Sequence, residues 1–78
     1  MQNPFIVRQN LGNRVRFLRR ERAWSQEELA RKSGLGRSFT GALERGQVDL
    51  GINTLYKLAK VFEMDLSKLM KGIDDLAV

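Results

Sequence analysis

Cysteine and histidine are both absent from this chain. Without cysteine there is no disulfide staple and no thiolate zinc site. Without histidine the commonest general base and the commonest metal ligand are missing. No paired carboxylates share a face to replace them, so an enzyme is not expected, and neither is a bound cofactor or metal. No apolar run approaches the ~20 residues that cross a bilayer, and the N-terminus lacks a signal-peptide pattern. A cytoplasmic protein with no membrane partner is the expectation. Acidic residues are also few, 9 against 14 lysines and arginines, for a net charge of +5. That balance favours a polyanionic partner, most simply nucleic acid. Aromatic-rich strands that would form an RNA-stacking platform are missing. With 78 residues, the chain reads as one domain, 1–78, with a thin core.

What is present centres on residues 25–46, SQEELARKSGLGRSFTGALERG. Ser25 followed by Glu28 is a capping box, in which each side chain satisfies an N–H that the new helix leaves without a partner. Leu29 and Ala30 give that helix an apolar face. Gly34 stands where it must stop and turn, a position suited to a left-handed backbone. Leu35 plugs the turn. A second short helix runs from about Arg37 to Arg45, with Leu43 facing inward and Gly46 closing it. Two short helices across a tight turn fit either a helix-turn-helix that lays its second helix in the DNA major groove or a hairpin within an ordinary bundle.

The flanking segments are helical as well. Asn3 and Pro4 read as N-cap and first position of a helix that continues to about Arg22. Val7, Leu11, Val15 and Leu18 form its apolar stripe, and Phe5, Ile6 and Phe17 fall off it. Gly12, in mid-helix, lowers helix propensity by up to ~1 kcal/mol relative to alanine. Arg14, Arg16, Arg19, Arg20 and Arg22 make one side basic, suited to phosphates or to salt bridges. Trp24 is expected in the core between the first two helices. A fourth helix, about Ile52 to Phe62, turns Ile52, Leu55, Ala59 and Phe62 inward. A short fifth helix opens at Asp65 or Leu66 and ends at Gly72. Strand patterns, repeats and linkers are lacking, and short connections between five helices indicate a compact all-α domain.

The sequence resembles the Cro/Xre-type helix-turn-helix regulators. The residues that carry the likeness are Leu11-Gly12 and Leu18-Arg19, then SQEELARKSGL, Leu43-Glu44-Arg45-Gly46, Thr54 to Ala59, and Asp65 to Leu69. Within that family it is similar to the controller proteins of restriction–modification systems. The resemblance implies a five-helix lambda-repressor-like fold with the helix-turn-helix at its second and third helices. It also implies a sequence-specific regulator bound to a double-stranded DNA operator. Ala23, Gly36 and Thr40 depart from the family pattern, where glycine, a capping side chain and a buried β-branched aliphatic are usual. Ala23 therefore predicts a strained end to the first helix, and Thr40 predicts a hydroxyl in need of an internal partner.

In such a motif the N-terminal end of the third helix meets base edges. Arg37, Ser38, Gly41 and Ala42 are the candidates, with Arg37 able to fork onto O6 and N7 of a guanine and Ala42 able to touch a thymine methyl. Gln26, Lys32, Phe39 and Arg45 are the candidates for phosphate and sugar contacts. A carboxylate beside DNA is repelled, so Glu44 is expected to be structural, and the resemblance pairs it with Arg19. Met64, Leu66, Met70, Ile73 and Leu76 form an apolar set toward the C-terminus, within residues 62–78, that suits a homodimer interface. A protein-interaction module such as an antitoxin is the alternative function. No effector pocket is legible.

Overall fold

The computed structural model describes residues 4–74. Five helices follow one another: α1 (Pro4–Glu21), α2 (Gln26–Ser33), α3 (Arg37–Glu44), α4 (Ile52–Val61) and α5 (Leu66–Leu69). The start of α1 at Pro4 agrees with the sequence, while its expected cap, Asn3, lies outside the described residues. The long α1 is the spine. Its stripe of Leu11, Val15 and Leu18 is buried, and Val7 packs half-buried beside it. Leu29 of α2, Leu43 of α3, Leu55, Leu58 and Ala59 of α4, Phe62, and Leu69 of α5 complete the core. Each fully buried leucine contributes roughly 1.5–3 kcal/mol over leaving it in water.

Local chemistry sets the helix ends. Ser25 Oγ accepts from the Glu28 N–H at 3.0 Å, and Glu28 Oε1 accepts from the Ser25 N–H at 2.8 Å, the expected capping box. Gly34 ends α2 in the left-handed region at φ 75°. Asp65 caps α5 by accepting from the Lys68 N–H at 2.8 Å. Gly36 caps α3 without a side-chain bond. Ala23 sits at φ 57°, the strain predicted where the family has glycine. Thr40 is fully buried, and its hydroxyl finds its partner in the Gly36 carbonyl at 2.9 Å.

Gly12 has a different meaning from the one its position suggested. A Cβ there would stand 2.5 Å from the Leu43 carbonyl oxygen and 2.6 Å from that of Glu44. Its lack of a side chain lets α1 and α3 touch backbone to backbone, so the propensity it loses is offset by close packing.

Three expectations are corrected. Ile52 is 63% exposed rather than core, because α4 begins there, beyond the end of the packed layer. Trp24 is half-buried but stacks on Phe62, ring centroids 5.8 Å apart, and so ties the end of α1 to the end of α4. Ile73 is only 8% exposed and belongs to the core, its carbonyl accepting from Asn10 Nδ2 at 2.7 Å. Met64, Leu66 and Met70 pack half-buried against the same core, each keeping part of its surface outside. Leu76 lies outside the described residues.

Candidate nucleic-acid interface

The site begins with the anchoring of α3. Glu44, at its C-terminal end, is 1% exposed. Arg19 forks onto it, with Nε 2.6 Å from Oε2 and Nη2 3.0 Å from Oε1. Gln26 Nε2 donates to Oε1 at 2.9 Å, and Arg16 Nε approaches the same oxygen at 3.5 Å while its Nη2 bonds the Glu44 carbonyl at 3.2 Å. Burial alone would push the Glu44 carboxyl up. The bonds from Arg19 and Gln26, the charge of Arg19 and the bond from Arg16 outweigh it, and the group is held below the ordinary carboxylate range. One carboxylate thus fastens α1, the first residue of α2 and the end of α3. The Arg19–Glu44 pair is a structural one, with Gln26 and Arg16 as added members. Arg16 was legible only as part of a basic stripe, because the sequence does not say which way each arginine turns.

That stripe is spent almost entirely inside the molecule. Arg14 donates to the carbonyls of Leu69 at 3.1 Å and Lys68 at 2.8 Å, closing the end of α5. Arg22 donates to the carbonyls of Leu18 and Phe62, each at 2.9 Å, and lies over the Phe62 ring. A guanidinium fork suits the free carbonyls at helix ends, which is why these arginines bind the scaffold.

The exposed end of α3 is another matter. Arg37 and Ser38 are solvent-exposed at its first turn, and Ala42, one turn on, is half-buried. Phe39 is half-buried too. Gly41 is buried beneath its neighbours: a Cβ on it would meet Nη1 of Arg37 at 3.0 Å, Nη1 of Arg45 at 3.2 Å and Oε1 of Gln26 at 3.9 Å. A base edge therefore reaches Gly41 only if the arginines part. Arg37, Arg45 and Gln26, expected from sequence on separate grounds, come together over one glycine. Lys32 does not join them, since its Nζ sits 4.9 Å above the Trp24 ring. Beside Arg45, a shallow cleft is lined by Gln9, Asn13 and Arg16 of α1 with Glu44. Those three α1 residues recur at i, i+4 and i+7, a polar stripe readable in the sequence but overlooked beside the arginines. Asp49 is taken by Arg8, 2.6 Å from its Nε, which ties the loop after α3 to α1.

The helix-turn-helix domain family matches residues 12–75. The control protein C.SmaI of Serratia marcescens is 36% identical over 64 residues, 82% of this chain and 76% of that one. The restriction–modification controller C.AhdI of Aeromonas hydrophila superposes with a TM-score of 0.75 at 39% identity, over 78% of this chain and 92% of that one. SinR, a master regulator of biofilm formation solved in complex with DNA, superposes with a TM-score of 0.72 at 31% identity, over 78% and 98%. Some relatives are longer: the chain covers 50% of a hypothetical transcription factor of Neisseria meningitidis, at 38% identity over 53 residues. With a capped α2, a left-handed glycine turn and an anchored α3 in place, the chain belongs to the helix-turn-helix family, among the Cro/Xre-type regulators its sequence resembles.

Proposed function

We propose that this chain is a sequence-specific regulator of transcription that binds double-stranded DNA as a homodimer, with α3 in the major groove. The observation that carries this reading is the exposed first turn of α3, with Arg37 and Ser38 outward, on a helix whose far end is locked by Glu44. Rigid presentation of a few side chains is what base readout requires. Arg37 reads a guanine edge, with Ser38 and Ala42 beside it. Arg45, Gln26, and the stripe of Gln9 and Asn13 line the backbone side. Phosphate contacts fix the register there, and base contacts choose the sequence. The controller role of C.SmaI and C.AhdI and the DNA complex of SinR support the same reading.

One α3 reads too few base pairs to single out a site among ~10⁶ genomic competitors. Two copies reading half-sites ~34–36 Å apart do so. Ile52 and Tyr56, 63% and 55% exposed, give α4 an apolar outer face. Tyr56 borders a groove with Lys60, Glu63, Met64 and Asp65. Lysine and carboxylates on one patch are self-complementary across a two-fold axis.

Retention of random duplex DNA at two salt concentrations tests binding, and a steep fall with salt is expected as phosphates are neutralised. No binding at low salt would favour a protein-interaction module. Site selection from a random duplex library then defines the operator. On it, Arg37→Ala is expected to cost ~1–3 kcal/mol and relax preference at one base pair, whereas Arg45→Ala weakens all sequences alike and flattens the salt slope. Uniform loss from both variants would show that Arg37 reads no base.

A further inference from the structure

Arg37, Gly41 and Arg45 stand at i, i+4 and i+8, one stripe running along α3 to its C-cap. The two Nη1 atoms each lie close to the point where a Gly41 Cβ would be, so they are no more than about 6 Å apart. Among the described residues neither guanidinium is ion-paired. Arg45 donates through Nε to the neutral Gln47 Oε1 at 3.0 Å. Arg8, Arg14, Arg16, Arg19 and Arg22, by contrast, are bound to carboxylates or carbonyls of the scaffold. Two unpaired like charges this close repel, and strong acceptors or an anion in front of them relieve the repulsion.

The glycine between them has no structural reason to be one. At Gly12 a Cβ would strike the carbonyls of Leu43 and Glu44, and at Gly46 the backbone of Gln9. At Gly41 the backbone is ordinary helix, and a Cβ would press only on the flexible ends of Arg37, Arg45 and Gln26. Glycine also weakens a helix interior. The fold tolerates alanine at this position, while the two guanidinium ends have to give way by a few tenths of an ångström, and a longer side chain would part them.

We infer that Gly41 is a specificity-determining residue. Its missing side chain lets Arg37 and Arg45 converge on one guanine nucleotide, Arg37 on the O6/N7 edge and Arg45 on the adjoining phosphate. This pairing rests on the DNA reading above and adds to it that the guanine preference depends on position 41 as well as on Arg37.

The test uses the full chain, the duplex selected for it, and the variants Gly41→Ala and Gly41→Leu. Gly41→Ala is expected to melt higher, as a better helix former, and yet to bind the selected duplex about tenfold more weakly. Site selection with Gly41→Leu is expected to lose the guanine although Arg37 is still present. Losses from Arg37→Ala and Arg45→Ala are expected to be non-additive in the unchanged chain and additive beside Gly41→Leu. A folded Gly41→Ala that binds as tightly as the unchanged chain overturns the inference, as does a Gly41→Leu variant that selects the same guanine. Both results leave the DNA reading intact, since the unchanged chain still binds. If the unchanged chain binds no duplex at low salt, both fall together. Should Gly41→Leu fail to fold, Gly41→Ala decides alone.

Discussion

Glu44 is the residue whose loss should be felt most. Its carboxyl is fully buried and accepts from Arg19, Gln26 and Arg16. Removing its charge leaves Arg19, itself 9% exposed, without a counter-ion. Breaking one side of a buried pair costs about 3–5 kcal/mol. Glu44→Gln is therefore expected to lower the melting temperature sharply while leaving the selected operator unchanged, as a thermal melt and site selection check. The same group sets a pH dependence. Its folded-state pKa is lowered from the ordinary unfolded carboxylate value. Its stabilisation is then complete above that unfolded value and is lost as pH falls through the folded pKa. Glu28 and Asp65 are lowered as well, by bonds to the Ser25 and Lys68 backbone N–H groups. The acid limb of Glu44 is thus the part that disappears in Glu44→Gln when stability is followed from pH 6 to pH 2. Thr40 should behave in the opposite way. Its hydroxyl bonds the Gly36 carbonyl, which also accepts from the Thr40 N–H at 2.9 Å. Thr40→Val removes one of two bonds to that oxygen and adds an apolar methyl to a buried site. Stability is expected to hold within about 1 kcal/mol or rise, and chemical denaturation measures it.

Among the elements, α1 and α3 meet backbone to backbone at Gly12. Gly12→Ala would set a Cβ against two backbone carbonyls that cannot swing aside. The expected cost is about 1–3 kcal/mol, greater than the helix-propensity gain, and visible as a lower denaturation midpoint. Ala23→Gly, at the strained end of α1, should instead raise it by up to about 1 kcal/mol. These two positions mark how far the sequence is legible. Caps, turn and stripe are written in local residue types, so the capping box, the Gly34 turn and the Leu11–Val15–Leu18 face could be read directly. The strain at Ala23 could be read because a departure from a family pattern names its own backbone conformation. Gly12 could not be read, because its reason lies in carbonyls more than thirty residues away. Ile52 could not be placed because periodicity gives a face but not where along a helix the packed layer ends, nor Ile73, because it lies in the turn after α5, where no periodicity is a guide. At the exposed face of α3, residue types pointed to Arg37, Arg45 and Gln26, but their convergence over Gly41 depends on the angle between α2 and α3. Nor can a sequence tell which arginines of a basic run will bind carbonyls of their own scaffold.

At the scale of the molecule the proposed dimer requires a face on which two copies can meet. At the base of the bundle Ile73 lies within the core and Leu69 is fully buried, while Met64, Leu66 and Met70 are half-buried. Large exposed apolar side chains remain at Phe5 and Phe17 of α1 and on the outer face of α4, where Ile52 and Tyr56 stand one turn apart and Tyr56 borders a groove that carries both charges. Lys60 lies over the Tyr56 ring at 5.7 Å, and Glu63 and Asp65 border the same groove. In an isologous dimer each lysine can face a carboxylate of the other copy, so both signs are matched at once. Tyr56→Glu places two like charges near the axis and removes the aromatic anchor, while Ile52→Ser lowers the apolar area. Neither side chain is part of the packed core, so each variant should fold with a melting temperature near that of the unchanged chain at low concentration. Sedimentation at micromolar concentration is expected to give a dimer for the unchanged chain and a monomer for Tyr56→Glu. Operator affinity should then fall by more than any single α3 substitution produces, because an entire half-site is lost. Random duplex binding at low salt should fall far less, since each copy keeps its own basic surface. A Tyr56→Glu chain that still sediments as a dimer would move the interface off α4.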